Sequence, residues 1–166
     1  MSEINDNILM WTHYAEQHKG VCLVFVAETR NGFFKDTIKV SYSKSNSIQK
    51  AKIIKSNRDD INEYKDIRDM FITKSEHWKY EAERRLINEP KKLETGKTRL
   101  GHGLKKFPGT LLTEIILGCE IESDSITFLK ETLKKRPVPK IKISQAMKKE
   151  KHYGLDIIDI TEQFYS

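Results

Sequence analysis

Cysteine, proline and glycine are all scarce in this sequence, at 2, 4 and 8 of 166 residues. Two cysteines cannot build a disulfide scaffold, and so few prolines and glycines exclude a collagen-like or linker-like chain. Long apolar runs are missing too: none approaches the roughly 20 residues of a membrane-spanning helix. The first ten residues, MSEINDNILM, lack the basic start and apolar stretch of a secretory signal. These absences point to a cytoplasmic protein without a membrane partner. No CxxC occurs, and His13 and His18 lie five apart without a Glu after the first, so no metal is expected. Cys22 in GVCLVF and Cys119 in LGCEI sit in or beside apolar runs, as buried free thiols do.

What is present is enough for a core. The chain is 37% hydrophobic and 33% charged, and a chain of this length buries roughly two-thirds of the surface it exposes when unfolded. A single domain over residues 1–166 is therefore expected.

The formal charge of +6 has one source. Residues 84–110 hold eight basic side chains, Arg84, Arg85, Lys91, Lys92, Lys97, Arg99, Lys105 and Lys106, against Glu89 and Glu94. The rest of the sequence balances. The stretch KLETGKTRLGHGLKKFPG has four glycines and a proline and reads as an extended loop, bounded here at 88–109. Lys97, Arg99, Lys105 and Lys106 would attract phosphates of a nucleotide or nucleic acid in a salt-dependent way. The plain alternative is a solvated loop. Gly96-Lys97-Thr98 is not a phosphate-binding loop of the Walker kind, since Lys91 stands where the earlier glycine is required.

Hydrophobic spacing gives the elements. Ile8, Trp11 and Ala15 predict a short helix over 8–18 that stops at Gly20. VCLVFVAE at 21–28 reads as a central strand covered on both faces, and TIKVSYS at 37–43 as a half-buried one. Helical stripes run through 47–74, first Ile48, Ala51 and Ile54, then Ile61, Tyr64, Ile67 and Phe71. TLLTEIILG predicts a second buried strand ending at Gly118. A helix over 125–135 is capped by Asp124, carries Ile126, Leu129 and Leu133 inward, and is stopped by Pro137 and Pro139. Strands at 140–143 and 155–160 finish the chain. With neither regular βαβ alternation nor a repeat, the class is α+β, a mixed sheet with helices packed on it.

The segment from Lys74 to Arg85, KSEHWKYEAERR, is dense in ionisable and aromatic residues. As a helix it makes Glu81 and Arg85 an i, i+4 pair on a wet surface, contributing about 0.3–0.5 kcal/mol and no chemistry. As a strand, extended from Tyr80 to Ile87, it puts Glu81, Glu83 and Arg85 on one face. Two carboxylates so close raise each other's pKa while Arg85 opposes them, a tension found at working sites and in structural ion-pair networks alike.

LMWTHYAEQHKGVCLVF, KxxxWxYExExR over Lys74–Arg85 and FPGTLLTEIILG together resemble the bacterial domain-of-unknown-function 2971 family. The resemblance runs over 9–118 and more weakly to about 160. It singles out Trp11, His13, Tyr14, Gly20, Tyr42, Lys74, Trp78, Glu81, Glu83 and Arg85. Relatives begin with a further segment, so the chain resembles a C-terminal portion of the family, which implies a partner chain supplying the missing part. The family carries no assigned reaction.

An E-x-E pair on a strand, with a histidine and tyrosines elsewhere, is similar to the acidic motif of ADP-ribosyltransferases. That analogy implies NAD as ligand. Glu83 would contact the ribose and the developing cation, Glu81 would be the acceptor-side acid, and His13 would orient the ligand. Tyr42, Trp78 and Tyr14 would line the site, and Lys74 or Arg85 would meet phosphate. The competing expectations are a nucleic-acid or phosphate-binding module of a defence or toxin system, and a non-catalytic fragment. Trp11 and Tyr14 also fit simple packing, with His13 bonded to a backbone carbonyl.

Overall fold

The computed structural model describes residues 1–27, 33, 34, 36–45, 69–87, 107–136 and 140–166. The helical stripes expected before residue 69, most of the basic loop, and Pro137 and Pro139 lie outside these residues. The described backbone forms two compact units, one from residues 1–4 and 36–87, the other from 5–34 and 107–166. The class is α+β, as the sequence pattern implies.

The second unit holds a four-stranded mixed sheet. Its strands are β1 (Val21–Phe25), β6 (Leu112–Leu117), β7 (Lys142–Lys148) and β8 (Leu155–Asp159), in that spatial order. β1 pairs antiparallel with β6, β6 parallel with β7, and β7 antiparallel with β8. A parallel pair needs a crossover, and a helix of Ser123–Lys134 provides it between β6 and β7. Alternation along β6 feeds two cores. Ile116 joins Ala146 and Leu155 against Trp11 and Ala15. On the opposite face Ile115 and Leu117 join Ile143 and Phe164, with Ile126, Leu129 and Leu133 of the crossover helix packed against them. Full burial of each isoleucine or leucine contributes about 1.5–3 kcal/mol.

Three expectations change here. Among the described residues VCLVF is an edge strand paired with β6 alone, with Val21 and Leu23 exposed, whereas TEIIL takes the centre. The crossover helix starts at Ser123 behind Glu122, so Asp124 lies in its first turn and caps nothing. The first helix, α1 (Ile8–Tyr14), is shorter than its apolar spacing suggests. Asn7 caps it, accepting from the Leu9 and Met10 amides at 2.9 and 3.3 Å. It ends in three consecutive left-handed residues, Glu16, Gln17 and His18, with φ of 47°, 53° and 71°, so the chain reverses before Gly20 is reached. The His18 ring stacks on Trp11, interplanar angle 8°. Thr12 Oγ1 donates to the Ile8 carbonyl at 2.9 Å and so accepts from His18 Nε2 at 3.1 Å.

The first unit has two short ladders. β2 (Thr37–Lys39) pairs antiparallel with β5 (Arg84–Leu86), and β3 (Ser41–Ser43) pairs parallel with β4 (Thr73–Ser75). The alternation of TIKVSYS survives: Val40 is buried, and Lys39 and Ser41 are exposed. The strand breaks at Val40, whose amide donates to the Glu83 carbonyl at 2.9 Å.

Candidate functional site

The chemistry-bearing segment is neither a strand throughout nor an α-helix. A 3-10 helix runs from Glu76 to Glu81, Ala82 turns left-handed at φ 43°, and only then does β5 begin. The extended backbone expected from Tyr80 to Ile87 is thus replaced by a kink. The physical reason is local: in the tight 3-10 turn the Ala82 amide donates to the Lys79 carbonyl at 3.2 Å, and Ala82 must then reverse direction to enter β5. A wet Glu81–Arg85 pair is absent as well, since Glu81 is only 3% exposed.

The side chains nevertheless converge. Lys74, projecting from β4, contacts the Glu81 carboxylate and lies 3.1 Å from Glu83 Oε2. Arg85 grips Glu83 with two nitrogens, Nε on Oε1 at 2.7 Å and Nη2 on Oε2 at 3.0 Å. Its Nη1 donates to the Phe71 carbonyl at 2.5 Å. The Glu83 amide donates to the Tyr42 hydroxyl at 2.8 Å. Lys74 Nζ also stands 4.9 Å from the centre of the Trp78 ring, and Trp78 adjoins Tyr80 with ring centres 6.0 Å apart. Five residues singled out from sequence, Tyr42, Lys74, Glu81, Glu83 and Arg85, therefore form one bonded network, with Trp78 against it.

Its electrostatics run opposite to the mutual repulsion expected of two neighbouring acids. The Arg85 guanidinium, aided by Lys74 and opposed by partial burial, holds the Glu83 carboxyl down at about 2. For Lys74, burial disfavours the charge, but hydrogen bonds to Glu81 and Glu83 outweigh it and raise its pKa. Arg85 is raised by Glu83. The cations win because each is hydrogen-bonded to a carboxylate in a half-buried setting, where charge-assisted bonds are strong. The result is a carboxylate ionised throughout the physiological range and fixed in place.

The other candidates fall elsewhere. His13 and Tyr14 sit on α1 in the second unit, both exposed, their rings edge to face at 6.3 Å. Lys97, Arg99, Lys105 and Lys106 lie outside the described residues. Among the described residues, no three His, Cys, Asp or Glu side chains gather as a metal-holding group, and no helix is long and apolar enough to cross a membrane.

Sequence reasoning missed residues 1–4. They lie antiparallel beside the kink, with an isolated bridge between Ser2 and Glu83. Nothing in a local pattern announces a pairing 81 positions apart.

Residues 10–86 match the profile of a family described as "Protein of unknown function (DUF2971)". The matched stretch contains both the MWTHYA block and the whole ionic network. It also corrects the expected extent of the resemblance: the match lies in the N-terminal and middle part of this chain, stops before FPGTLLTEIILG, and does not run to residue 118 or 160 as the C-terminal-portion reading required. Neither a curated protein nor a solved structure matches the chain.

Proposed function

We propose that the Glu83 network binds the ribose of NAD or a similar dinucleotide, and that the reaction is ADP-ribosyl transfer. The observation carrying this reading is the state of Glu83. It is half-buried, ionised, and oriented by Arg85, Lys74 and, through its amide, Tyr42. A carboxylate has about four lone-pair positions. Arg85 takes one on each oxygen and Lys74 a second on Oε2, which leaves a position on Oε1 for a ribose hydroxyl among the described residues. As the bond between ribose and nicotinamide breaks, positive charge develops on the ribose, and a preorganised anion stabilises it without reorganisation. Glu81 is buried on the same lysine and fixes Lys74 beside Glu83, a position that does not suit the acceptor-side role, and Trp78 lines the site.

The network holds two cations and two carboxylates, so its net charge is close to zero. It has no surplus to hold a pyrophosphate. The reading gives that task to the basic segment that follows β5, through Lys97, Arg99, Lys105 and Lys106. A cytoplasmic location goes with such a ligand.

The test is thermal shift and nicotinamide release at millimolar NAD. Expected are a raised melting temperature and slow nicotinamide release, both lost in Glu83→Gln while the circular dichroism is unchanged. Intact NAD together with an unmoved melting temperature overturns the reading. The concentration of the +6 charge in residues 84–110 favours a second one, a nucleic-acid-binding module. In that case reversing the four loop charges abolishes binding of an oligonucleotide, and Glu83→Gln leaves it unchanged.

A further inference from the structure

The kink that brings Glu81 and Glu83 to one lysine is held from both edges. On one edge, Val40 and Tyr42 bond the Glu83 carbonyl and amide. On the other lie residues 1–4. The Glu3 amide donates to the Ala82 carbonyl at 3.0 Å, the Arg84 amide donates to the Met1 carbonyl at 2.8 Å, and Ser2 Oγ donates to the Glu81 carbonyl at 2.7 Å. Every residue from Glu81 to Arg84 thus gives a backbone group to one edge or the other.

Side chains fasten the same segment. Glu3 Oε1 accepts from Arg84 Nη1 at 2.6 Å, and Glu3 Oε2 accepts from Lys39 Nζ at 3.0 Å, joining β5 to β2 through one carboxylate. Arg84 in turn donates through Nη2 to the Thr37 carbonyl at 3.2 Å. Adjacent on β5, Arg84 and Arg85 turn to opposite faces and divide the work: Arg85 grips the Glu83 carboxylate, and Arg84 anchors the backbone.

The backbone under the site is also its least relaxed part. Ala82 at φ 43° and ψ 49° occupies a left-handed state that costs an L-residue about 1 kcal/mol. Such a state persists only when its surroundings over-determine it. Residues 1–4 supply that determination at Ala82 itself, through the Glu3 amide. Loss of these contacts frees Ala82 to relax, and Glu83 swings relative to Lys74.

We propose that residues 1–4 are a positioning strap for the Glu81–Glu83 pair, and that docking of this strap and ligand binding at Glu83 strengthen each other. The second half rests on the nucleotide reading above; the first half stands without it. Coupling of this kind is reciprocal: a ligand that needs Glu83 in place also holds the strap down.

The experiment uses the full chain and the variants Ser2→Ala, Glu3→Pro, which removes the Glu3 amide as well as its carboxylate, and the double variant. The Glu83 side-chain carboxyl is titrated by carbon NMR, exchange of the Arg84 amide is followed, and NAD affinity is measured. In the double variant the Glu83 titration moves up towards the ordinary glutamate range, Arg84 exchanges about tenfold faster, and NAD binds about tenfold more weakly, with circular dichroism unchanged. In the parent chain, saturating NAD slows Arg84 exchange. An unmoved Glu83 titration and unmoved Arg84 exchange in the double variant overturn the strap. Equal NAD affinity in parent and double variant overturns the coupling and leaves the nucleotide reading standing. A parent chain that binds no NAD, beside a double variant whose Glu83 titration still moves, overturns the nucleotide reading and the coupling and leaves the strap.

Discussion

A Cβ atom on Gly118 would stand 1.9 Å from the carbonyl oxygen of His18. That oxygen cannot withdraw easily. It accepts from the Glu120 amide at 3.1 Å, and His18 is the last of three left-handed residues whose turn is closed by the Gly20 amide on the Ala15 carbonyl at 2.9 Å. The Gly118 amide in turn donates to the Gly20 carbonyl at 3.0 Å. The turn after α1 and the end of β6 are therefore one backbone-to-backbone junction with no room for a side chain. Gly118→Ala is expected to cost about 3 kcal/mol. Urea denaturation checks this, and a loss well under about 1 kcal/mol contradicts the tight junction.

Lys74 stands between two carboxylates, one of them almost fully buried. Removing one partner of a buried ion pair costs about 3–5 kcal/mol, because the charge left behind is poorly solvated. Lys74→Met is expected at the lower end of that range, since Arg85 continues to serve Glu83. Adding Glu81→Gln to Lys74→Met removes the buried charge that faced the lysine and restores part of the loss. A double-mutant cycle on unfolding free energies reads the coupling directly.

Much of the second unit was legible. TLLTEIILG carries a run whose apolar residues serve both faces of a sheet, and period and composition suffice to find it as a buried strand, though not to place it at the centre. Ile126, Leu129 and Leu133 likewise define the inner face of the crossover helix. The position of VCLVF was not legible, because an apolar run states how hydrophobic a strand is and not how many neighbours it has. In the first unit the residue types were readable and the backbone was not. Glu81, Glu83 and Arg85 meet at Lys74 by way of a 3-10 turn and a left-handed alanine, which no periodicity encodes. The strap rests on pairings 79 to 83 positions apart, invisible to any window-based reading.

Ala82 offers a sharper test of the kink. At φ 43° a glycine sits without steric penalty, whereas a β-branched residue clashes. Ala82→Gly is expected to leave stability unchanged or raise it by about 0.5 kcal/mol, the relief of strain offsetting the greater freedom of the unfolded glycine. Ala82→Val is expected to lose about 2 kcal/mol. Were the segment extended instead, the order would reverse, since valine favours strands and glycine weakens them. Melting temperatures of the two variants decide the matter.

The depressed pKa of Glu83 makes stability depend on pH with a definite sign. Unfolded, the carboxyl titrates near 4.5; folded, at about 2. The unfolded chain therefore binds the proton first as pH falls, and protonation pulls towards unfolding. The contribution is complete above the unfolded value and is lost between about pH 4.5 and about pH 2. With the Glu83 side chain 19% exposed, the difference corresponds to about 3 kcal/mol at neutral pH. Unfolding free energy should accordingly fall more steeply with acid over this window in the parent chain than in Glu83→Gln, and the two curves should converge towards pH 2. Parallel curves through that range mean that Arg85 and Lys74 do not hold Glu83 as an anion in solution, and the electrostatic basis of the site goes with them.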